Sequence, residues 1–173
     1  MLDTAAGYGD AEKVIGERKP PAARFDVVSK TAAGIDDTLG RARQSCVALR
    51  VDSLYALLVH NSADLLGGDS RKLLAMLDEV RARGLASRIG VSVYELDELD
   101  AVLQVAKLDL VQVPLNVLDQ RFAASGAIAR LAAAGIEVHV RSIFLQGLLV
   151  NPAEPGLAAV APAGARAKAF RHA

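Results

Sequence analysis

The stretch RIGVSVYELDELDAVLQVAKLDLVQV, residues 88–113, holds two apolar runs with a different pattern between them. Arg88–Val91 and Asp109–Val113 are short, rich in β-branched residues and almost continuously apolar, which is how strands buried on both faces read. Over Glu95–Ala106, Leu96, Leu99 and Leu103 recur at the three- and four-residue spacing of one helix face. A strand, a helix and a second strand in so short a span make a βαβ unit, whose crossover is right-handed when the strands are parallel.

The alternation continues in both directions. Phe25–Ser29, Ser53–Val59 and Ile136–Val140 read as further strands, and Met1-Leu2 as the tail of one more. Residues 36–49 open with Asp36 and Asp37, which suits a helix N-terminus. Residues 70–83 place Leu73, Leu77 and Val80 on one face, with Asp69 or Ser70 as cap and Gly84 beyond the end. Residues 119–134 carry Phe122, Ile128 and Leu131 and stop at Gly135. Strands and helices that alternate about every 30 residues build a parallel sheet. Periodicity alone leaves a doubly wound sheet and a barrel equal. The polar residues Asp3, Lys30, His60, Gln112 and Arg141-Ser142 separate them, because they lie at or just after the carboxyl ends of strands along the whole chain. A barrel collects such groups from many strands at one mouth, whereas an open sheet gathers them at a switch point. The expected fold is therefore α/β, an incomplete (β/α)8 barrel forming one partial domain over residues 1–173. Residues 151–173, rich in Ala, Pro and Gly, read as loop with a short helix at Ala165–Arg171.

Twenty basic residues are balanced by twenty acidic ones, so neither a nucleic-acid footprint nor a polybasic membrane anchor is indicated. Cys46 is the single cysteine and falls on a helical face with Leu39, Ala42 and Leu49, as a packing thiol does. No apolar run reaches the roughly 20 residues of a membrane span, and the start Met1-Leu2-Asp3 has no signal-peptide pattern, so a cytoplasmic location is expected. No Cys/His cluster has zinc spacing, and no metal is expected. Gly7 and Gly9 do not form the Gly-x-Gly-x-x-Gly fingerprint of dinucleotide-binding Rossmann units.

The segment Asp3-Thr4-Ala5-Ala6-Gly7-Tyr8-Gly9-Asp10-Ala11-Glu12, followed by Gly16, reads by itself as a Gly-rich loop running into a helix capped near Gly9 or Asp10. Singly, Asp3 is a loop carboxylate, Tyr8 a loop aromatic, Lys30 a solvated strand-end lysine and His60 a rim histidine. Together the segment resembles the signature of the aldo-keto reductases. Val28-Ser29-Lys30-Thr31 is similar to the family strand that ends in its active-site lysine, and Leu58-Val59-His60-Asn61 to the one that ends in its histidine. Ile89-Gly90-Val91-Ser92 and Val111-Gln112-Val113 with Asn116 resemble the two strands that face the nicotinamide carboxamide. The resemblance runs over about residues 1 to 150.

It implies reduction of an aldehyde or ketone, sugar-derived in one subgroup, with NADP as cofactor and NAD as the alternative. The implied catalytic residues are Asp3, Tyr8, Lys30 and His60. As hydride reaches the carbonyl carbon, charge grows on oxygen, so a proton donor and fixed positive charge must lie there. Tyr8 is the implied donor, Lys30 the ammonium that favours its phenolate, Asp3 the holder of Lys30, and His60 the group that orients the carbonyl. Ser92, Gln112, Arg141 and Ser142 are the implied cofactor contacts. Val93 stands where the family often has Asn, and Arg141 where an aromatic residue usually stacks on the nicotinamide; a guanidinium plane also stacks on a ring. The string Arg141-Ser142-Ile143-Phe144-Leu145-Gln146-Gly147 is similar to members associated with cell-surface polysaccharide synthesis. His139 reads as barrel filler and His172 as part of a frayed end.

A whole barrel needs eight strands in about 250 residues. The first strand and helix and the last βα unit are not found here, so unpaired edges and self-association through them are expected. The alternative to an oxidoreductase is an inactive barrel fragment that acts as an interaction or oligomerisation module.

Overall fold

A computed structural model describes residues 1–18, 25–31, 37–147 and 149. The tail beyond 150, with its expected helix and His172, lies outside them. The chain divides into two compact units, Met1–Val111 and Gln112–Ala173.

The first unit carries β1 (Leu2–Asp3), α1 (Ala11–Arg18), β2 (Val27–Lys30), α2 (Thr38–Leu49), β3 (Ala56–Val59), α3 (Ala63–Leu66), α4 (Ser70–Ala82), β4 (Ile89–Ser92), α5 (Leu96–Val105) and the start of β5 (Leu110–Pro114). Strand order follows chain order and the pairs are parallel. This is the fold class read from the sequence, an incomplete (β/α)8 barrel. Every residue of β2, β3, β4 and β5 is buried, as expected of strands covered on both faces.

Register explains how the polar residues come to share a face. Asp3 pairs with Val28 and Val28 with Ala56; one step further along, Lys30 pairs with Leu58 and Leu58 with Gly90. Side chains alternate across a strand, so the buried cluster of Val28, Ala56, Leu58 and Leu110 lies on the same face as Lys30 and His60, two residues beyond Val28 and Leu58. Ser92 stands two beyond Gly90. Asp3, Lys30 and His60 thus climb two residues from each strand to the next, as a barrel's shear imposes, and Ser92 stands level with His60. Apolar filler occupies the lower layer of that face and polar groups its carboxyl end.

Helix boundaries follow local chemistry. The Asp37 carboxylate accepts from the Gly40 amide at 3.0 Å and starts α2. Asp69 precedes α4 without a side-chain cap, so its place there is set by Leu73, Leu77 and Val80, all buried as expected. On α5 the buried residues are Leu99 and Val102, with Leu96 and Leu103 half-buried, a rotation of the expected face. Helix α3 was absent from the sequence reading, since four residues are too few for a periodic signal. A Cβ on Gly16 would overlap the backbone carbonyl of Ala48, so glycine there lets α1 lie directly on α2. Cys46 is buried in α2, and burial, followed by the charges of Glu12 and Asp52, pushes its thiol pKa up.

The second unit holds the end of β5, α6 (Arg121–Ala124), α7 (Ala127–Ala133), β6 (Glu137–Arg141) and a short 3-10 turn at Leu145–Gly147. One helix was expected over 119–134. Two form, because Gly126 adopts a left-handed φ of 75° that breaks the hydrogen-bond ladder. Phe122 and Leu131 are buried and Ile128 half-buried. Strand β6 is half-buried along its length, unlike the others.

Candidate active site

The first unit brings Asp3, Tyr8, Lys30 and His60 together. Lys30 closes β2 with 2% of its surface exposed. An ammonium at that depth needs acceptors, and it has three: Asp3 Oδ1 at 2.7 Å, Asp3 Oδ2 at 2.9 Å and the Thr4 carbonyl at 3.0 Å. Asp3 and Thr4 sit on β1 and just after it, where Thr4 N donates to the Val28 carbonyl at 2.9 Å, so strand pairing itself aims these acceptors at β2.

The loop that follows returns Tyr8 to the same place. Its ring centroid is 5.5 Å from Lys30 Nζ, and the His60 ring meets it edge-on at 5.7 Å and 80°. Tyr8 is half exposed and Lys30 is not, so a molecule from solvent reaches the phenol first, with the charge behind it. His60 is held by its backbone, whose amide donates to Thr31 Oγ1 at 3.2 Å, while the Thr31 amide donates to the Leu58 carbonyl at 2.8 Å. Thr31 thereby ties the carboxyl ends of β2 and β3. The sequence reading passed over it and over the Thr4 carbonyl, because neither a threonine after a strand nor a backbone oxygen stands out in a pattern of residue types.

Of the cofactor-side residues, Ser92 ends β4 in the first unit, 2% exposed, and Val93 after it is buried and apolar. The others belong to the second unit. Gln112 is 2% exposed on β5. Asn116 is spent on its own loop: its Oδ1 accepts from Leu118 N at 2.9 Å and Asp119 N at 3.0 Å, and its Nδ2 donates to the Ser142 carbonyl at 3.3 Å. Ser142 has a φ of 61°, rare for a residue with a Cβ, and that amide contact helps hold it there. Arg141 is half-buried at the end of β6, with Nη1 3.5 Å from Ser142 Oγ. His139 pairs with Glu137 Oε1 at 2.7 Å, a polar partner on its own strand.

Buried amide and hydroxyl side chains at strand ends, as in Gln112 and Ser92, offer the donors and acceptors that a carboxamide needs. Each of the two, within its own unit, is of a residue type that could bond a carboxamide. Among the described residues, no group of three or more His, Cys, Asp or Glu could hold a metal ion, and no helix is long and apolar enough to cross a membrane.

The described residues form part of an α/β barrel with a tyrosine, a lysine and a histidine gathered at its strand ends. The chain belongs to the aldo/keto reductase family, whose family model matches residues 1–162. It is 25% identical over 177 aligned residues to the NADH-specific methylglyoxal reductase of Escherichia coli, covering 87% of this chain and 54% of that protein. Among solved structures it resembles aldo-keto reductase AKR11C1 from Bacillus halodurans in its holo form, with a TM-score of 0.69, 18% identity, and coverage of 89% and 54% of the two chains. It equally resembles a Gox0644 variant in complex with NADPH, with a TM-score of 0.69, 20% identity, and coverage of 94% and 59%. The chain spans a little over half the length of these relatives.

Proposed function

We propose that this chain carries the proton-transfer centre of a nicotinamide-dependent carbonyl reductase, with an aldehyde or ketone as substrate. The observation that carries the reading is the approach of one buried ammonium to one half-exposed phenol, 5.5 Å from centroid to Nζ, with His60 against the same ring. The bound cofactor supplies the hydride. Tyr8 donates its hydroxyl proton to the oxygen that takes the carbonyl electron pair, and is left as phenolate. Lys30 stabilises that phenolate, and Asp3 with the Thr4 carbonyl fixes Lys30. His60 orients the carbonyl oxygen toward Tyr8. By the family resemblance, cofactor contacts are assigned within each unit: Ser92 in the first, and Gln112, Arg141 and Ser142 in the second, with Arg141 as the residue that stacks on the nicotinamide. NADPH is proposed first and NADH second, since a Gox0644 variant is seen with NADPH while the Escherichia coli relative is NADH-specific. A cytoplasmic protein with a small carbonyl substrate, sugar-derived compounds included, follows from the same reading.

The test is loss of reduced-nicotinamide absorbance on adding methylglyoxal or a sugar aldehyde, with each cofactor. Tyr8→Phe is expected to lower turnover by about 10²-fold or more, the usual worth of a placed acid, while cofactor binding by fluorescence titration stays unchanged. Full turnover by Tyr8→Phe would refute the assignment, as would failure of the unsubstituted chain to bind either nucleotide.

A further inference from the structure

Tyr8 is half exposed, and a Cβ on either neighbour, Gly7 or Gly9, would meet nothing within 4 Å. Its ring meets His60 and Lys30 on one side, the Tyr8 amide donates to the Ala5 carbonyl at 3.0 Å, and the Ala6 amide donates to the Lys30 carbonyl at 3.4 Å. The start of the loop is tied to Lys30 through Asp3 and Thr4.

Its far end carries a second tie to the same strand. The Tyr8 carbonyl accepts from the Ala11 amide at 3.1 Å, at the start of α1. The next residue, Glu12, is 8% exposed, and its Oε1 accepts from Ser29 Oγ at 2.6 Å. Ser29 is fully buried and precedes Lys30 on β2, pointing to the opposite face of the strand. A buried carboxylate is costly unless its bonds are good, so its presence on a mostly polar helix calls for a reason. Neither Ser29 nor Glu12 touches the reacting atoms in the reading above.

We propose that Glu12 and Ser29 are positioning residues for Tyr8, their bond setting where the phenol stands relative to the Lys30 ammonium. The inference rests on the reading of Tyr8 as proton donor, and on a chain of direct links: Tyr8 carbonyl to Ala11, Glu12 to Ser29, Ser29 to Lys30. When the far tie is cut, the Tyr8 end of the loop loses its hold on β2 through α1 and the ammonium acts on the phenol more weakly.

Charge supplies a sign that separates positioning from simple electrostatics. The ring meets Lys30 of β2 and His60 after β3, Asp3 of β1 is bonded to Lys30, and Asp10 and Glu12 are the acidic residues on the segment of Tyr8 itself. Deleting the Glu12 carboxylate by charge alone would make Tyr8 ionise at lower pH. Loss of the Lys30 contact makes it ionise at higher pH.

The experiment uses the full chain with Tyr55→Phe and Tyr94→Phe, which leaves Tyr8 as the single phenol. Its ionisation is followed by ultraviolet difference absorbance against pH, with thermal melts alongside. Lys30→Met is expected to move the midpoint up. Ser29→Ala and Glu12→Ala are expected to move it up by a smaller amount, about half a pH unit, and Glu12→Gln, which keeps an acceptor for Ser29, to restore it. If Glu12→Ala fails to fold, Ser29→Ala, which deletes one hydroxyl and no charge, stands in its place. If Lys30→Met leaves the midpoint where it was, the proton-donor reading fails. If Lys30→Met moves it but Ser29→Ala and Glu12→Ala only lower the melting temperature, Glu12 and Ser29 are merely structural and the positioning inference alone is overturned.

Discussion

Removing Asp3 should destabilise the protein more than removing Lys30, although Lys30 is the buried member of the pair. Lys30 is 2% exposed and the Asp3 side chain 43% exposed. In Lys30→Met an unbranched apolar chain replaces the lysine stem, the carboxylate left behind turns to water it already touches, and the Thr4 carbonyl loses one donor. That cost is about 0–1.5 kcal/mol, the range of a half-exposed ion pair with partial compensation. In Asp3→Ala the ammonium stays inside and keeps one acceptor of its three, the Thr4 carbonyl at 3.0 Å. A charged hydrogen bond lost at a buried donor costs about 1.5–3 kcal/mol, and stranding the charge pushes the total toward about 3 kcal/mol, discounted because water can enter where Asp3 stood.

One escape route limits the loss. Strand β1 is two residues long and is held to β2 through Leu2 N to the Asp26 carbonyl at 2.8 Å and Thr4 N to the Val28 carbonyl at 2.9 Å. If the ammonium costs more than those bonds, residues 1–4 peel away and water reaches Lys30. The assay is urea unfolding by circular dichroism for Asp3→Ala, Lys30→Met and the double variant, with hydrogen exchange at the Thr4 amide. Asp3→Ala should be the least stable, by about 1.5 kcal/mol relative to Lys30→Met, with faster Thr4 exchange; the double variant should recover most of that gap. A Lys30→Met variant as unstable as Asp3→Ala would show that the pair's worth lies in the ion pair itself, and the burial argument would be wrong.

Three further outcomes follow from single residues. The Cys46 thiol ionises at higher pH when folded than unfolded, so the native state keeps its proton longer; stability is fully present below the ordinary thiol range and falls as pH rises through it toward the folded value. Melting temperatures taken across that range should fall less in Cys46→Ala than in the parent, and equal slopes would refute the linkage. Gly16→Val, which drives a side chain into the Ala48 carbonyl, should cost about 2 kcal/mol or more in a urea titration by forcing α1 off α2, whereas Gly7→Ala in open space should cost little. Phe122→Ala empties a fully buried site of the second unit and should lower stability by about 3–5 kcal/mol, a loss that an unchanged unfolding midpoint would contradict.

The barrel was legible because its strands carry two messages at once. Residues 27–28 and 56–59 are apolar on both faces, which marks a covered parallel strand, and polar residues, Ser29 and Lys30 in the one and His60 after the other, come only at the carboxyl end. Boundaries slipped by a residue or two where the apolar run outlasts the pairing, as at Phe25, which is exposed before β2. The split of the expected helix at 119–134 was hidden because Gly126 reads as a tolerated interior glycine until its backbone turns left-handed.

Asp3, Lys30 and His60 stand at strand ends in the sequence pattern and Tyr8 joined them only through the family resemblance, but the means of holding them was legible in neither. Backbone acceptors such as the Thr4 carbonyl leave no trace in residue identity. Nor do bonds between side chains that look ordinary alone: Ser29 is a small residue in a strand and Glu12 an acid in a first helical turn, where it suits the dipole in any sequence. Their meeting at 2.6 Å becomes visible only when β2 and α1 are in place. The Tyr8 loop is fastened on both sides to neighbouring residues of one strand, through Asp3 and Thr4 to Lys30 and through Glu12 to Ser29, while its ring meets His60 and Lys30, so the strand that carries the ammonium also anchors the loop that carries the phenol.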